Sequence, residues 1–313
     1  MNDLHRFSCA KAMLSHCLGL LNVYHVPNGV LKASKTTLAA IGKTALVRLR
    51  NLECTNPTGS HKDRRAAAII QEAEKRGTLK LGMKAVEATG GSTGFSLAFV
   101  CAVKGYKFQP ASSNAFAVEK LKTMAAFGAK FDIVDSPTGR ITADLIPSMI
   151  RRAKEVAGEG NVYSTDQFNN RDALVGYEAL GREIVEQVPE GVDVFCAAVG
   201  TTGLPMGVSA VLKAARSETR VVVLEPASTP VITGGQAGSH GVEGIGIGFV
   251  PPLLDTKLYD EARAAFFAGV STGLNVVAAI RLAGEMGAGK RVVTIACDSG
   301  LKYLNGDLFS TPK

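Results

Sequence analysis

The sequence predicts an α/β fold with mostly parallel strands, and three observations predict it. Short continuous Val/Ile-rich runs recur, as in VDVFCAAV (192–199), RVVVL (220–224) and RVVTIA (291–296). Helix-like stretches lie between such runs. Small-residue turns join strand ends to helix starts. Strands that lack polar alternation are buried on both faces, as in parallel sheets covered by helices. The pattern runs twice along the 313 residues, with a polar loop at Gln167 to Arg171 between the halves. The expected organisation is an extension at 1–35, one α/β domain at 36–169 and a second at 170–313.

In chain order, Ala45 to Leu49 is the first strand candidate. Asp63 to Arg76 reads as a helix with apolar Ala66, Ile69, Ile70 and Ala73 on one side. Asp63 suits its first turn and Gly77 its C-terminal cap. Ser92 to Lys104 is mostly apolar and reads as a buried helix. Phe116 to Phe127 is a third helix closed by Gly128, and Phe131 to Val134 a short strand. Ile141 to Val156 is amphipathic, with Pro147 imposing a kink or a later start. In the second half the strand 192–199 runs directly into Gly200, Thr201, Thr202 and Gly203, with a helix over Met206 to Ala215. Arg220 to Leu224 is a strand, Leu274 to Met286 a helix and Arg291 to Ala296 a last strand.

Composition narrows the function classes. With 46% hydrophobic and 20% charged residues the chain is neither disordered, collagen-like nor coiled coil. The net charge of +7 would suit an anionic polymer, but its distribution argues otherwise. Residues 1–50 hold seven basic side chains and one acid, which leaves 28 basic and 27 acidic groups in the remainder, a net of +1. Trp is absent and no basic stripe is interleaved with aromatics, so nucleic acid is not the expected partner. The six cysteines form no C-x-x-C pair, which argues against a zinc site or a disulfide framework and for a reducing, cytoplasmic compartment. Apolar runs fall short of a membrane span. Residues 1–35 are poor in acid and contain Ser and Arg, which leaves an organelle-targeting segment open beside the simpler reading of a variable extension.

Three turns carry candidate chemistry. NPTGSHKDR (56–64) delivers Lys62 to a helix start, where an amine can bind phosphate, act as a nucleophile or stay solvated. TGGSTG (89–94) and GTTG (200–203) also open helices and offer backbone N–H groups to an anion. Neither matches the dinucleotide or Walker pattern, and each alone is more simply a tight turn. Together they suit a small molecule with a phosphate, a carboxylate and a reactive carbonyl.

With these motifs the chain resembles the cysteine synthase and cystathionine β-synthase family of pyridoxal-phosphate enzymes. TLAAIGKTALVRL, NPTGSHKDR, VEATGGSTGFSLA, STDQFNN, AVGTTGLPMGV, HGVEGIGIGFVP, AGVSTG and CDSGLKYL follow in the family's order from about Thr37 to Phe309. The resemblance implies a fold type II pyridoxal-phosphate enzyme: two three-layer α/β domains with the cofactor in the cleft between them. It implies that Lys62 forms the Schiff base and shuttles the Cα proton. Gly200, Thr201, Thr202 and Gly203 would cradle the phosphate, Ser271 would pair with the pyridine nitrogen, and Ser92 would face the cofactor ring. Thr89, Gly90, Gly91 and Thr93, helped by Gln167, would bind the substrate carboxylate. Gly244, Ile245 and Gly246 would form a lid. The implied reaction is β-replacement on O-acetyl-L-serine, with sulfide or another small nucleophile giving L-cysteine and acetate, in a homodimer. A β-eliminating lyase of the serine/threonine dehydratase or cysteine desulfhydrase type, or a non-catalytic homologue, is the alternative.

Several positions depart from the family pattern. Gly90 stands where the family has Ser, Ser92 where it has Asn, Thr202 where it has Gly and Leu204 where it has Thr. The strand before Pro110 looks short. A strand start between Leu49 and Leu52 looks deleted, as do a strand and a helix between Glu261 and Ala268. Among the remaining residues, His61 and His240 are expected to pack and hydrogen-bond rather than transfer protons.

Overall fold

The computed structural model describes residues 46–47, 50–140, 142, 144–238, 240, 242–265 and 271–303. The 1–35 extension, Cys9, Cys17, His5, His16, His25 and the segment Ala268 to Val270 lie outside them. The strand candidate at Ala45 to Leu49 lies partly outside them.

Two sheets organise the chain. The first has the order β5-β4-β3-β6 and is wholly parallel. Its strands are β3 (Lys84–Ala88), β4 (Lys107–Ser113), β5 (Asp132–Val134) and β6 (Val162–Ser164). The second has the order β1-β2-β10-β7-β8-β9. It contains β1 (Leu46–Val47), β2 (Arg50–Leu52), β7 (Val194–Ala198), β8 (Arg220–Pro226), β9 (Glu261–Ala265) and β10 (Val292–Ala296). Among the described strands only the β1–β2 pair is antiparallel.

Helices cover both faces of each sheet, because strands such as Val194–Ala198 and Val292–Ala296 are buried at every residue and need cover on both sides. Helices α1 (Lys62–Lys75), α2 (Ser92–Lys104), α5 (Asp172–Gln187) and α6 (Gly203–Ala215) pack on one another. Helix α4 (Leu145–Ala157) packs on β3 and β4, and α7 (Ser271–Met286) on β7 and β10. The core of the first half joins Ile70, Phe95, Leu97, Val100 and Phe108. That of the second half joins Tyr177, Ile184, Phe195, Val208 and Ile295 beneath α5 and α6. Val194, Val222, Leu274 and Leu282 build the layer under α7.

The helical expectations hold within a few residues. Pro147 sits in the first turn of α4, where its missing N–H costs no helical bond, so the helix starts at Leu145 rather than kinking. Helix α3 (Val118–Ala126) begins two residues later than Phe116, because Ala117 is extended with ψ 132°.

Three expected losses are corrected. The strand at Pro110 is seven residues long and pairs with β3 from Lys107 to Ala111. Pairing with β5 starts only at Ala111, so the absent donor of Pro110 falls outside that ladder. The strand near Leu52 is present as β2, parallel to β10 with Arg50 opposite Thr294. The strand before Ala268 is also present, as β9 on β8 with Glu261 opposite Val222. The helix expected to be missing there would fall at 266–270, which lie outside the described residues. Charge finishes the β9 edge. Arg263 bonds Glu261 and Glu285, the latter at 2.8 Å, and Arg220 bonds Glu261. A charged edge strand also resists pairing with another chain.

Candidate functional site

Lys62 opens α1, and its turn is bolted to the end of β10. The His61 amide donates to the Cys297 carbonyl at 2.9 Å, and Ser60 bridges to Asp298. Asp63 fixes the approach by accepting the Thr58 amide at 2.8 Å and the Thr58 hydroxyl at 2.6 Å. Arg64 locks the helix to its neighbours through Glu53 at 2.7 Å and Glu183 at 2.6 Å. Burial, reinforced by the Arg65 cation, pushes the Lys62 ammonium down to about 7, against the pull of Cys297 and Asp298. An amine so poised is neutral in a large fraction at neutral pH and can take a proton.

The 89–94 turn opens α2. The Thr89 hydroxyl accepts the Gly94 amide at 3.1 Å, satisfying one of the helix's first N–H groups from the preceding turn. A Cβ at Gly90 would collide with the Phe116 ring, so Phe116 fills the place a larger residue would take. Gly91 has open space around it, and the Ser92 hydroxyl lies 3.3 Å from Lys302 Nζ. Thr93 donates to Gln167 Oε1 at 3.0 Å, while Gln167 Nε2 donates to the Ala88 carbonyl at 2.7 Å. Buried Glu87 holds this corner by accepting the Ala88 amide at 2.8 Å, the Gln167 amide at 2.9 Å and the Thr165 hydroxyl at 2.6 Å. Desolvation pushes its carboxyl up to about 7 in spite of these donors.

The 200–203 turn opens α6. Thr202 is its N-cap with φ +63°, a left-handed conformation uncommon for a β-branched residue. Its hydroxyl donates to the Thr201 carbonyl at 2.6 Å. A Cβ at Gly200 would collide with the Gly244 carbonyl, so the 244–246 segment lies directly against the loop. The Gly246 amide donates to the Val199 carbonyl at 3.2 Å, and His240 bonds the Gly246 carbonyl at 2.7 Å. Glu243 bonds Lys120 of α3, which ties this segment to the first half. Leu204 is buried in the core with Tyr177 and Ile184.

One chain of bonds crosses between the two turns. Thr93 bonds Gln167, the Gln167 carbonyl accepts Arg65, and Arg65 donates to the Thr201 hydroxyl at 2.8 Å. The expected carboxylate-loop and phosphate-loop residues are thus brought together around the first turn of α1. Ser271 is buried at the start of α7, beside Asn275, which bonds the Ala198 amide at 2.8 Å and the Ile295 carbonyl at 2.9 Å. His61 bonds the Tyr177 hydroxyl at 2.8 Å, and burial lowers its pKa.

Sequence reasoning missed Glu87, Arg65, Phe116 and Lys302. Arg65 had one available signal: a cation one turn before Ile69 on a helix face otherwise apolar. The group implied by the resemblance carries a phosphate and a carbonyl, and the residues fit it. A helix start whose first N–H groups have no intrahelical partner faces a glycine that admits no Cβ, with a buried guanidinium behind it and a near-neutral amine one turn away.

The chain is similar to known proteins. A profile of the family "pyridoxal-phosphate dependent enzyme" matches residues 37–267. A cysteine synthase of Staphylococcus aureus is 36% identical over 302 aligned positions, covering 86% of this chain and 95% of its own. The crystal structure of O-acetyl serine sulfhydrylase isoform 3 from Entamoeba histolytica superposes with a TM-score of 0.85 at 31% identity, covering 92% of this chain and 95% of that one. A hydrogen sulfide-producing enzyme of Fusobacterium nucleatum superposes with a TM-score of 0.78 at 29% identity, covering 87% and 100%.

Proposed function

The chain belongs to the pyridoxal-phosphate dependent enzymes, and from that premise we propose that it performs β-replacement on O-acetyl-L-serine, taking sulfide and giving L-cysteine and acetate. The observation that carries this reading is the poised Lys62 amine at the start of α1, one turn from Arg65, whose bonds to Thr201 and Gln167 link the turn suited to a phosphate with the partner of Thr93 in the turn suited to a carboxylate. The similarity to cysteine synthase and to O-acetyl serine sulfhydrylase supports it.

Each residue then has a task. The N–H groups of Gly200, Thr201, Thr202 and Gly203, at the positive end of α6, hold the phosphate. Ser271 would offer a neutral hydroxyl to the ring nitrogen, and Ser92 would stand at the cofactor's phenolic oxygen. The bound cofactor supplies the electron sink for the substrate's Cα–H bond. Thr89, Gly90, Gly91 and Thr93 receive the substrate carboxylate, with Gln167 holding Thr93 in its rotamer. Lys62 Nζ takes the Cα proton as the Cβ–O bond breaks and acetate leaves. Sulfide forms the new Cβ–S bond, and Lys62 Nζ returns the proton to Cα. Gly244, Ile245 and Gly246 shield these steps from water.

A β-eliminating lyase, releasing pyruvate, is the second reading. It draws on the similarity to the hydrogen sulfide-producing enzyme and on Leu204, whose side chain is turned into the core where a hydroxyl would serve the phosphate. Purified protein loaded with pyridoxal 5′-phosphate and given O-acetyl-L-serine and sulfide should form cysteine, and Lys62→Ala should lower that rate by at least about a thousandfold. Pyruvate in place of cysteine would establish the second reading, and neither product would leave a non-catalytic homologue. The homodimer implied by the resemblance is part of the proposal, to be weighed by light scattering. A cytoplasmic setting is supported by Cys101, Cys196 and Cys297, buried thiols that are in no disulfide.

A further inference from the structure

Arg64 and Arg65 are adjacent in α1, and both are buried, yet the chain treats them differently. Arg64 is held by two carboxylates, Glu53 and Glu183. Arg65 is 0% exposed, and among the described residues it donates only to neutral oxygens, the Thr201 hydroxyl and the Gln167 carbonyl, while its Nε–H has no partner there. Two carboxylates act on it from further off. Glu87 is committed to Ala88, Gln167 and Thr165, and Asp166 to Asn169. A buried guanidinium without a bonded anion is costly, because burial removes its water without supplying a countercharge.

The hydroxyls around the 200–204 turn complete the pattern. Thr202 spends its proton on the Thr201 carbonyl, and Leu204 lies in the apolar core. The Thr201 hydroxyl alone accepts from Arg65, which leaves its own proton available to a further acceptor. We infer that Arg65 is the charged half of the phosphate site: it orients the Thr201 hydroxyl toward a phosphate oxygen and provides the positive charge that a bound dianion requires. This rests on the cofactor reading and adds to it a positioning residue of α1, bonded to Thr201 beside the α6 N–H groups. It also accounts for Leu204, since a charge behind the loop compensates for the missing hydroxyl.

The test compares two ligands that differ only in the phosphate. Cofactor-free wild-type, Arg65→Gln and Arg65→Lys proteins are titrated by equilibrium dialysis with pyridoxal 5′-phosphate and with pyridoxal. Arg65→Gln should weaken pyridoxal 5′-phosphate about 10- to 100-fold and leave pyridoxal within about threefold, with Arg65→Lys recovering part of the loss. Equal losses for both ligands would mark a merely structural arginine, and no loss for either an idle one; each overturns the inference. Wild-type protein that takes up neither ligand would sink the cofactor reading itself. Should both variants misfold, the wild-type holoenzyme still decides: its phosphorus resonance should remain that of the dianion from about pH 5 to 9, and titration near pH 6 overturns the assignment.

Discussion

The turns that open α2 and α6 are built from the same strand–turn–helix unit and solve the same problem by opposite means. The 89–94 turn is made by side chains: Thr89 caps the helix, Thr93 reaches Gln167, and Glu87 anchors Gln167 from below. The 200–203 turn is made by backbone and charge. Gly200 lies against the Gly244 carbonyl, Thr202 is held left-handed, and Arg65 stands behind Thr201. A carboxylate site of this kind should be sensitive to hydroxyl chemistry, and a phosphate site of this kind to volume and charge. The contrast also explains why Gly90 is tolerated in the first turn: Phe116 covers the space beside it, and Thr89 and Thr93 hold their bonds to Gly94 and Gln167.

The largest effect that would sharpen this contrast belongs to Gly200→Ala. The added methyl meets the Gly244 carbonyl, so the loop and the 244–246 segment must part, at about 1–3 kcal/mol. Thermal melting should show that loss, and pyridoxal 5′-phosphate affinity should fall with it. An Ala variant with unchanged affinity would refute the tight approach. Thr93→Val should cost about 1–2 kcal/mol by orphaning Gln167 Oε1. Steady-state kinetics should report it as a roughly tenfold rise in KM for O-acetyl-L-serine with cofactor affinity intact; loss of cofactor instead would erase the distinction between the turns. Thr202→Gly is the smallest change. It relieves the left-handed strain but gives up the hydroxyl bond to Thr201, for a net gain of about 0.5 kcal/mol in a melting experiment. A lower melting temperature would mean that the hydroxyl bond outweighs the strain.

Legibility in the sequence followed the kind of force at work. Helices α1 and α2 and strands β7 and β8 could be read because apolar periodicity reports burial directly. Strands β3, β4, β6 and β9 were harder to see. Glu87 interrupts β3, Pro110 interrupts β4, and Glu261 and Arg263 break up β9. Each exception rests on tertiary partners: three donors for Glu87, a late-starting ladder at Pro110, and an arginine–glutamate cluster at the β9 edge. The site divided in the same way. Lys62 and the two small-residue turns are local motifs, whereas Arg65 acquires meaning only through Thr201 and Gln167, far away along the chain. Lys302 likewise gains its place only by meeting Ser92 and the Phe95 ring.

The β1–β2 ribbon gives the molecule an order of assembly. Strand β2 is among the first described segments to be synthesised, yet its parallel partner β10 is among the last. During translation β2 therefore waits with only β1 beside it, while the whole of the first sheet and most of the second are made. The strand ends next to the turn that carries Lys62, and that turn is itself pinned to Cys297 and Asp298 just past β10. A growing chain thus cannot complete the Lys62 turn early: the poised amine takes its final setting only when the last strand closes the sheet.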